Sequence, residues 1–244
     1  MEKISRRGFL QATGLAALTR VANAPAETAR PDANSPRSYG FFNRQEAAFI
    51  EAAVARLIPA DDLGPGALEA DVPGFMDKQL GGAWGAGERL YRSGPWQPGT
   101  PSQGYQLPFT PAELFRNALR AIDTDVRKWK GQSFASLFPA DQDVYLTSLE
   151  KGERDLGGIP SKVFFETLWE MTLEGYFSDP VYGGNKNMAA WEMIGFPGAY
   201  ANFYELVDRH GEAFRRRPVS LGETGAMQIH PDPNIPAYAP PKGR

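Results

Sequence analysis

Three groups of acidic residues have the side chains to move protons: Asp61-Asp62, Asp141 with Asp143, and Glu150, Glu153 and Asp155. Two carboxyls held a defined distance apart across a cleft are the machinery of glycoside hydrolysis. Clustering along a chain does not supply that geometry. Each group here falls at a turn or helix start, where acids are favoured by backbone N–H groups and the helix dipole. Ser161 opens an apolar run and reads as a helix cap, not a nucleophile, since no histidine lies near it in sequence. His210 and His230 are the only histidines, too few for a histidine-based metal centre or relay. His210 falls at the end of a predicted helix, where a cation suits the dipole. The absence of cysteine excludes disulfides, thiolate zinc sites, iron–sulfur ligation, thioether haem attachment and cysteine nucleophiles. Gly85 and Gly87 begin a G-x-G-x-x-G pattern that Leu90 breaks, and neither a phosphate-binding loop nor His-Glu-x-x-His is present. The residues point to no cofactor and no metal in this chain.

The elements that would position such groups are helices. Phe41-Phe42-Asn43 with Glu46 has the form of a hydrophobic staple and a reciprocal cap, predicting a helix to about Ile58, where Pro59 stops it. Asp71-Val72-Pro73 opens a short helix to Leu80, closed by Gly81-Gly82. Thr110-Pro111-Ala112-Glu113 is the strongest start signal: a cap, a proline at the first helical position and an acid at the third. Leu114, Ala118, Leu119, Ile122, Val126 and Trp129 then form one apolar stripe, and Gly131 supplies the stop. A helix from Pro139 to about Lys151 carries Val144, Leu146 and Leu149. Another, capped by Ser161, runs to about Phe177 with Phe164, Phe165, Leu168, Trp169, Thr172 and Tyr176 on one face. Met188–Ile194 and Ala199–His210 complete the set. Residues 93–108 are rich in proline and glycine and must be loop. The fold class is mainly α: one irregular helical domain with long Pro/Gly-rich loops and an extended C-terminal tail.

The 244 residues are 42% hydrophobic and 23% charged, an ordinary globular mix. The formal charge of −3 is uneven. Lys3, Arg6, Arg7 and Arg20 oppose only Glu2 in residues 1–26, leaving a body with 22 basic and 28 acidic residues. An acidic body argues against nucleic acid as a partner. Arg6-Arg7 followed by Phe9-Leu10 and a weak apolar stretch to Leu18 has the form of a twin-arginine export signal. The stretch is about half of the ~20 residues a membrane helix needs, so it should not remain as an anchor. Ala22, Ala24 and Ala26 offer small residues for cleavage, preferred after Ala26 because Pro25 would follow a cut at Ala24. The expected organisation is a signal over 1–26, a linker over 27–40, a helical domain over 41–217 and a Pro-rich tail over 218–244. That tail is either a flexible run or an arm that orders against a partner.

The densest feature lies between Phe164 and Tyr204, with eleven aromatics in 41 positions. Asp179-Pro180 and Gly183-Gly184-Asn185 are turn formers, so Tyr176, Phe177 and Tyr182 sit on a bent loop, with Trp191 following. Such a loop either covers a core or presents aromatic anchors to another protein. Tyr176, Phe177, Asp179, Pro180, Tyr182, Gly183, Gly184, Asn185 and Trp191 are therefore the candidate interface. Glu166, Glu170 and Glu174 recur at i, i+4 and i+8 on the preceding helix, either as a solvated face or as a ridge for basic groups of a partner.

The block Phe177-Ser178-Asp179-Pro180-Val181-Tyr182-Gly183-Gly184-Asn185, with Trp191 and Ile194-Gly195-Phe196-Pro197-Gly198, resembles the gluconate 2-dehydrogenase small subunit family (subunit 3). Gln103-Gly104-Tyr105-Gln106 leading into Thr110-Pro111-Ala112-Glu113 is similar to the same family, as is the twin-arginine leader, and the likeness runs over roughly residues 40–215. The resemblance implies a complex. A large flavoprotein would oxidise a sugar or sugar acid with FAD, and a multihaem cytochrome c subunit would pass electrons to quinone. The small subunit would lend its export signal and stability, carry no catalytic residue, work in the periplasm and meet the membrane only through the complex. The reading from another class is a stand-alone periplasmic carbohydrate-active enzyme using a carboxylate pair.

Overall fold

The computed structural model describes residues 37–88, 90–97, 99–100, 103, 106–200, 207–211 and 217–223. The export signal with Arg6, Arg7, Phe9 and Leu10, the linker up to residue 36, Gly104, Tyr105 and the tail beyond Glu223 lie outside them.

Helix α1, Arg44–Leu57, begins where the sequence places it. Asn43 Oδ1 accepts from the N–H groups of Gln45 and Glu46, and Glu46 returns a carboxylate to the Asn43 N–H. Three otherwise orphaned donors are satisfied this way, and such a cap contributes about 1 kcal/mol. Helix α2 spans Val72–Gly81, with Asp71 entering in the left-handed region and no side-chain cap. Helix α3, Pro111–Lys130, has the full capping box between Thr110 and Glu113 and ends on Gly131 at φ 74. Helix α4 is Pro139–Glu150, α5 is Ser161–Phe177 and α6 is Ala189–Ile194. Among the described residues there is no β-strand, only three isolated bridges.

Helix α5 is the centre, packing against each of α1 to α4 and against α6. Phe164, Leu168, Met171, Thr172 and Tyr176 are buried at helical spacing along it. Phe164 meets Phe115 of α3 edge-on at 5.2 Å, and Phe49 of α1 packs at a tilt, 4.7 Å from Phe134 in a short 3-10 turn. Burying each side chain of this kind is worth about 1.5–3 kcal/mol, so the apolar stripes, more than the caps, hold the helices together.

One charged group belongs to this core. Asp77 of α2 is 9% exposed and accepts the N–H groups of Gly40, Phe41 and Phe42 at 2.8–2.9 Å. A carboxylate with three N–H donors is a strong, charge-assisted acceptor, and here it pins the approach to α1 onto α2. Arg116 of α3 closes the same corner by pairing with Glu46, donating to the Phe41 carbonyl and standing 4.0 Å over the Phe41 ring.

Three local expectations are corrected. Ser161 does not cap α5: Pro160 holds the cap position, and the buried Ser161 Oγ makes no hydrogen bond. Val144 is exposed, and α4 buries Gln142, Tyr145 and Ser148 with Leu146 and Leu149 instead. Polar residues suit that face because Gln142 and Ser148 donate to the carbonyls of Phe134 and Tyr145. The predicted helix over 199–210 has non-helical described ends at 199–200 and 207–210, and residues 201–206 lie outside the described set.

Candidate partner interface

The loop after α5 starts just beyond a close approach of α5 to α2. Gly175 lets Phe75 of α2 approach so closely that a Cβ would stand 2.8 Å from its ring. Tyr176 follows, 3% exposed, and its hydroxyl donates to the Pro65 carbonyl at 2.6 Å. Burial, with Asp61 and Glu69 nearby, pushes this phenol up and keeps it a donor. Asp179 then caps a 3-10 turn over Pro180–Tyr182. Its carboxylate also accepts from Ser220 Oγ at 2.5 Å and from the Leu221 N–H at 2.7 Å. Burial works against the charge on Asp179, but the hydrogen bonds from Leu221, Ser220 and Val181 together outweigh it and hold the carboxyl below its ordinary range.

Asn185 closes the loop from inside. It is fully buried, donates through Nδ2 to the Ser178 carbonyl and accepts the Ala190 N–H on Oδ1. Its backbone N–H donates to the Gly175 carbonyl, and the next N–H, of Lys186, donates to Ala70. Gly184 must be glycine, since its φ is +70 and a Cβ would fall 2.1 Å from the Gly175 oxygen. Trp191 is the hub. Its indole N–H donates to the Phe177 carbonyl at 2.8 Å, its ring meets Phe196 edge-on at 5.1 Å, and the Gly198 backbone lies against it. Beyond Gly198, a parallel bridge to Val219 brings in residues 217–223 as a strap across the loop.

The nine candidate interface residues therefore fall into two sets. Tyr176, Gly183, Gly184, Asn185 and Trp191 are buried by the chain itself and act as internal wiring. Asp179 and Pro180 are half-buried, while Phe177 and Tyr182 are exposed. The structure adds Val181, Phe196 and Leu221, exposed apolar side chains that were not in the sequence-derived set. A signal for Val181 and Phe196 was present in the sequence, since each is apolar yet sits among turn residues with no helical period to bury it. Leu221 had none, because it reaches the loop from 42 positions away.

The acidic groups separate along the surface. Asp61 binds the N–H groups of Leu63 and Gly64 in its own turn, Asp141 pairs with Lys130, and Asp143 takes both arms of Arg56 at 2.7 Å. The Arg56 hydrogen bonds hold the Asp143 carboxyl below its usual range. Asp155 binds the Gly157 N–H within its turn, and Glu150 and Glu153 are exposed. Asp61, Asp141, Asp143 and Asp155 are each engaged within their own turn or by a basic partner, so the carboxylate-pair reading finds no support. Two open grooves of about 580 Å³ lie along α3, and neither is lined by a residue of the loop. No group of three or more His, Asp or Glu side chains among the described residues is arranged to hold a metal ion.

A model of one family, gluconate 2-dehydrogenase subunit 3, matches residues 44–198. The chain belongs to that family. The gluconate 2-dehydrogenase subunit 3 match starts on the first residue of α1 and stops on Gly198, the glycine that bridges to the strap. It thus contains helices α1 to α6 and the loop, and leaves the strap outside. Membership makes the protein a subunit of a dehydrogenase complex, which implies partner subunits. No curated protein and no solved structure matches the chain.

Proposed function

We propose that this chain is the non-catalytic small subunit of a periplasmic gluconate 2-dehydrogenase-type complex. It supports folding, export and stability of a flavoprotein subunit, which oxidises a sugar or sugar acid with FAD and passes electrons through a multihaem cytochrome c subunit to quinone. FAD and haem c belong to those partners. The family match over residues 44–198 carries this reading. The geometry is consistent with it: the block with the most specific resemblance is spent on making a rigid loop with apolar side chains outward, which is what a binding surface needs.

In this reading residues 1–26 are a twin-arginine signal that exports the folded pair, and the membrane is met only through the complex. No helix among the described residues is long and apolar enough to cross a membrane. The test is fractionation of cells producing the full-length chain with its flavoprotein. Wild type should place both in the periplasm, and Arg6→Lys with Arg7→Lys should leave both in the cytoplasm. A flavoprotein that reaches the periplasm regardless travels on its own, and the export role is then wrong.

A further inference from the structure

Five large apolar side chains of the loop and its strap face outward: Phe177, Val181, Tyr182, Phe196 and Leu221, each between 38 and 56% exposed. They come from three stretches of chain, and the contacts show that these are fastened into one surface. The Trp191 indole holds the Phe177 carbonyl and the Phe196 ring. Asp179 holds the Leu221 backbone, and a Val181 methyl lies 3.6 Å from where a Cβ on Gly222 would stand. Contiguous exposed apolar surface on a soluble domain marks a place that something covers.

The charge beside it says what kind of thing. Glu166, Glu170, Glu174 and Phe177 lie at i, i+4, i+8 and i+11 of α5, so the acidic ridge runs straight into the apolar surface. Lys162 reaches Glu166 at 3.8 Å, but Glu170 and Glu174 have no ion-pair partner among the described residues. Burial, and then the charge of Glu170, raises the Glu174 pKa, which is the situation a neighbouring cation relieves. Lys78 reaches the loop at Gly183, but no ion pair joins it to Glu170 or Glu174 among the described residues. An anionic bilayer would meet this ridge with repulsion. A second copy would add as many acids as it neutralised.

Resting on the subunit reading above, we propose that the five apolar side chains with the Glu170–Glu174 ridge form one composite docking surface. Its occupant is the flavoprotein subunit, which presents an apolar patch flanked by Arg or Lys. Asp179 is a positioning residue in this arrangement: it holds the strap so that Leu221 completes the surface.

The test uses the full-length chain co-produced with its flavoprotein, followed by affinity of the separated pair at low salt and at about 1 M salt, where screening is nearly complete. Val181→Asp with Leu221→Asp should weaken binding at least about 30-fold, the loss typical of a desolvated anchor, with an unchanged helical spectrum. Glu170→Lys with Glu174→Lys should cost about 5-fold at low salt and nothing at high salt. Phe138→Asp, on an apolar residue beside α4 that is more exposed than any of the five, should bind as wild type. If no flavin travels with the wild-type chain, the subunit reading itself is wrong. If flavin travels equally with the Val181/Leu221 variant, or if Phe138→Asp weakens binding as much, the subunit reading stands and this surface is overturned. Two further results overturn it in favour of other occupants: a dimer of the isolated chain in light scattering that Leu221→Asp abolishes, or flotation of the isolated chain with phosphatidylglycerol vesicles.

Discussion

The cap of α3 and the loop after α5 both rely on polar side chains that accept backbone N–H groups, yet they work over different distances. Thr110 and Glu113 satisfy each other's backbone N–H groups three positions apart. Asp179 caps its own turn in the same manner and then reaches Ser220 and Leu221, 41 and 42 positions on. The first is a local device that would stabilise any helix. The second is a knot, in which a turn former, a carboxylate and a buried amide each serve contacts that exist only when the chain has folded. Damage at the cap should therefore be partial and damage at the knot cooperative.

That contrast can be broken most sharply at Gly184. Gly184→Ala puts a Cβ into the Gly175 carbonyl at a φ that L residues rarely adopt, and should cost at least about 3 kcal/mol in urea unfolding. A loss below about 1 kcal/mol would mean that the loop yields locally and is no knot. Thr110→Ala is the local counterpart and should cost about 1 kcal/mol, with α3 still formed because its apolar stripe stays buried.

Acid should touch both regions by smaller steps. The Thr110 backbone N–H holds the Glu113 carboxyl below its usual range, as hydrogen bonds do for Asp179. A carboxyl depressed in the folded state adds stability above its unfolded pKa and loses it as pH falls through the folded value, so the loss begins below about pH 4. Asp179→Asn should flatten that acid limb in a series of melting curves. An unchanged limb would show that the strap is held without the charge.

The same contrast explains what the sequence made legible. The starts of α1 and α3 were readable to the residue, because Asn43 with Glu46 and Thr110 with Glu113 carry the whole cap within four positions. Ser161 was misread for want of the same reciprocity: no Glu or Gln stands three residues on, and its hydroxyl is left without a partner. The loop's importance was visible in its aromatics and turn formers, but the division between inner and outer side chains was not. Asn185 and Tyr182 look equally suited to an interface until Asn185 is seen bonded to Ser178 and Ala190. Asp77 gave no signal at all, since its three donors precede it by 35 to 37 residues.

Trp191 makes the molecule its own reporter. It is 5% exposed, while Trp84, Trp96 and Trp169 are each more than a third exposed. Its indole N–H is tied to the Phe177 carbonyl, directly beneath the outward-facing rings. Indole emission shifts to shorter wavelength as the ring and its N–H are shielded from water. The blue-edge component of the spectrum therefore comes from Trp191 together with the half-buried Trp129 of α3, and with Trp129 replaced by Phe, loosening of the strap or covering of the outer surface can be followed at Trp191 by light alone, without a label.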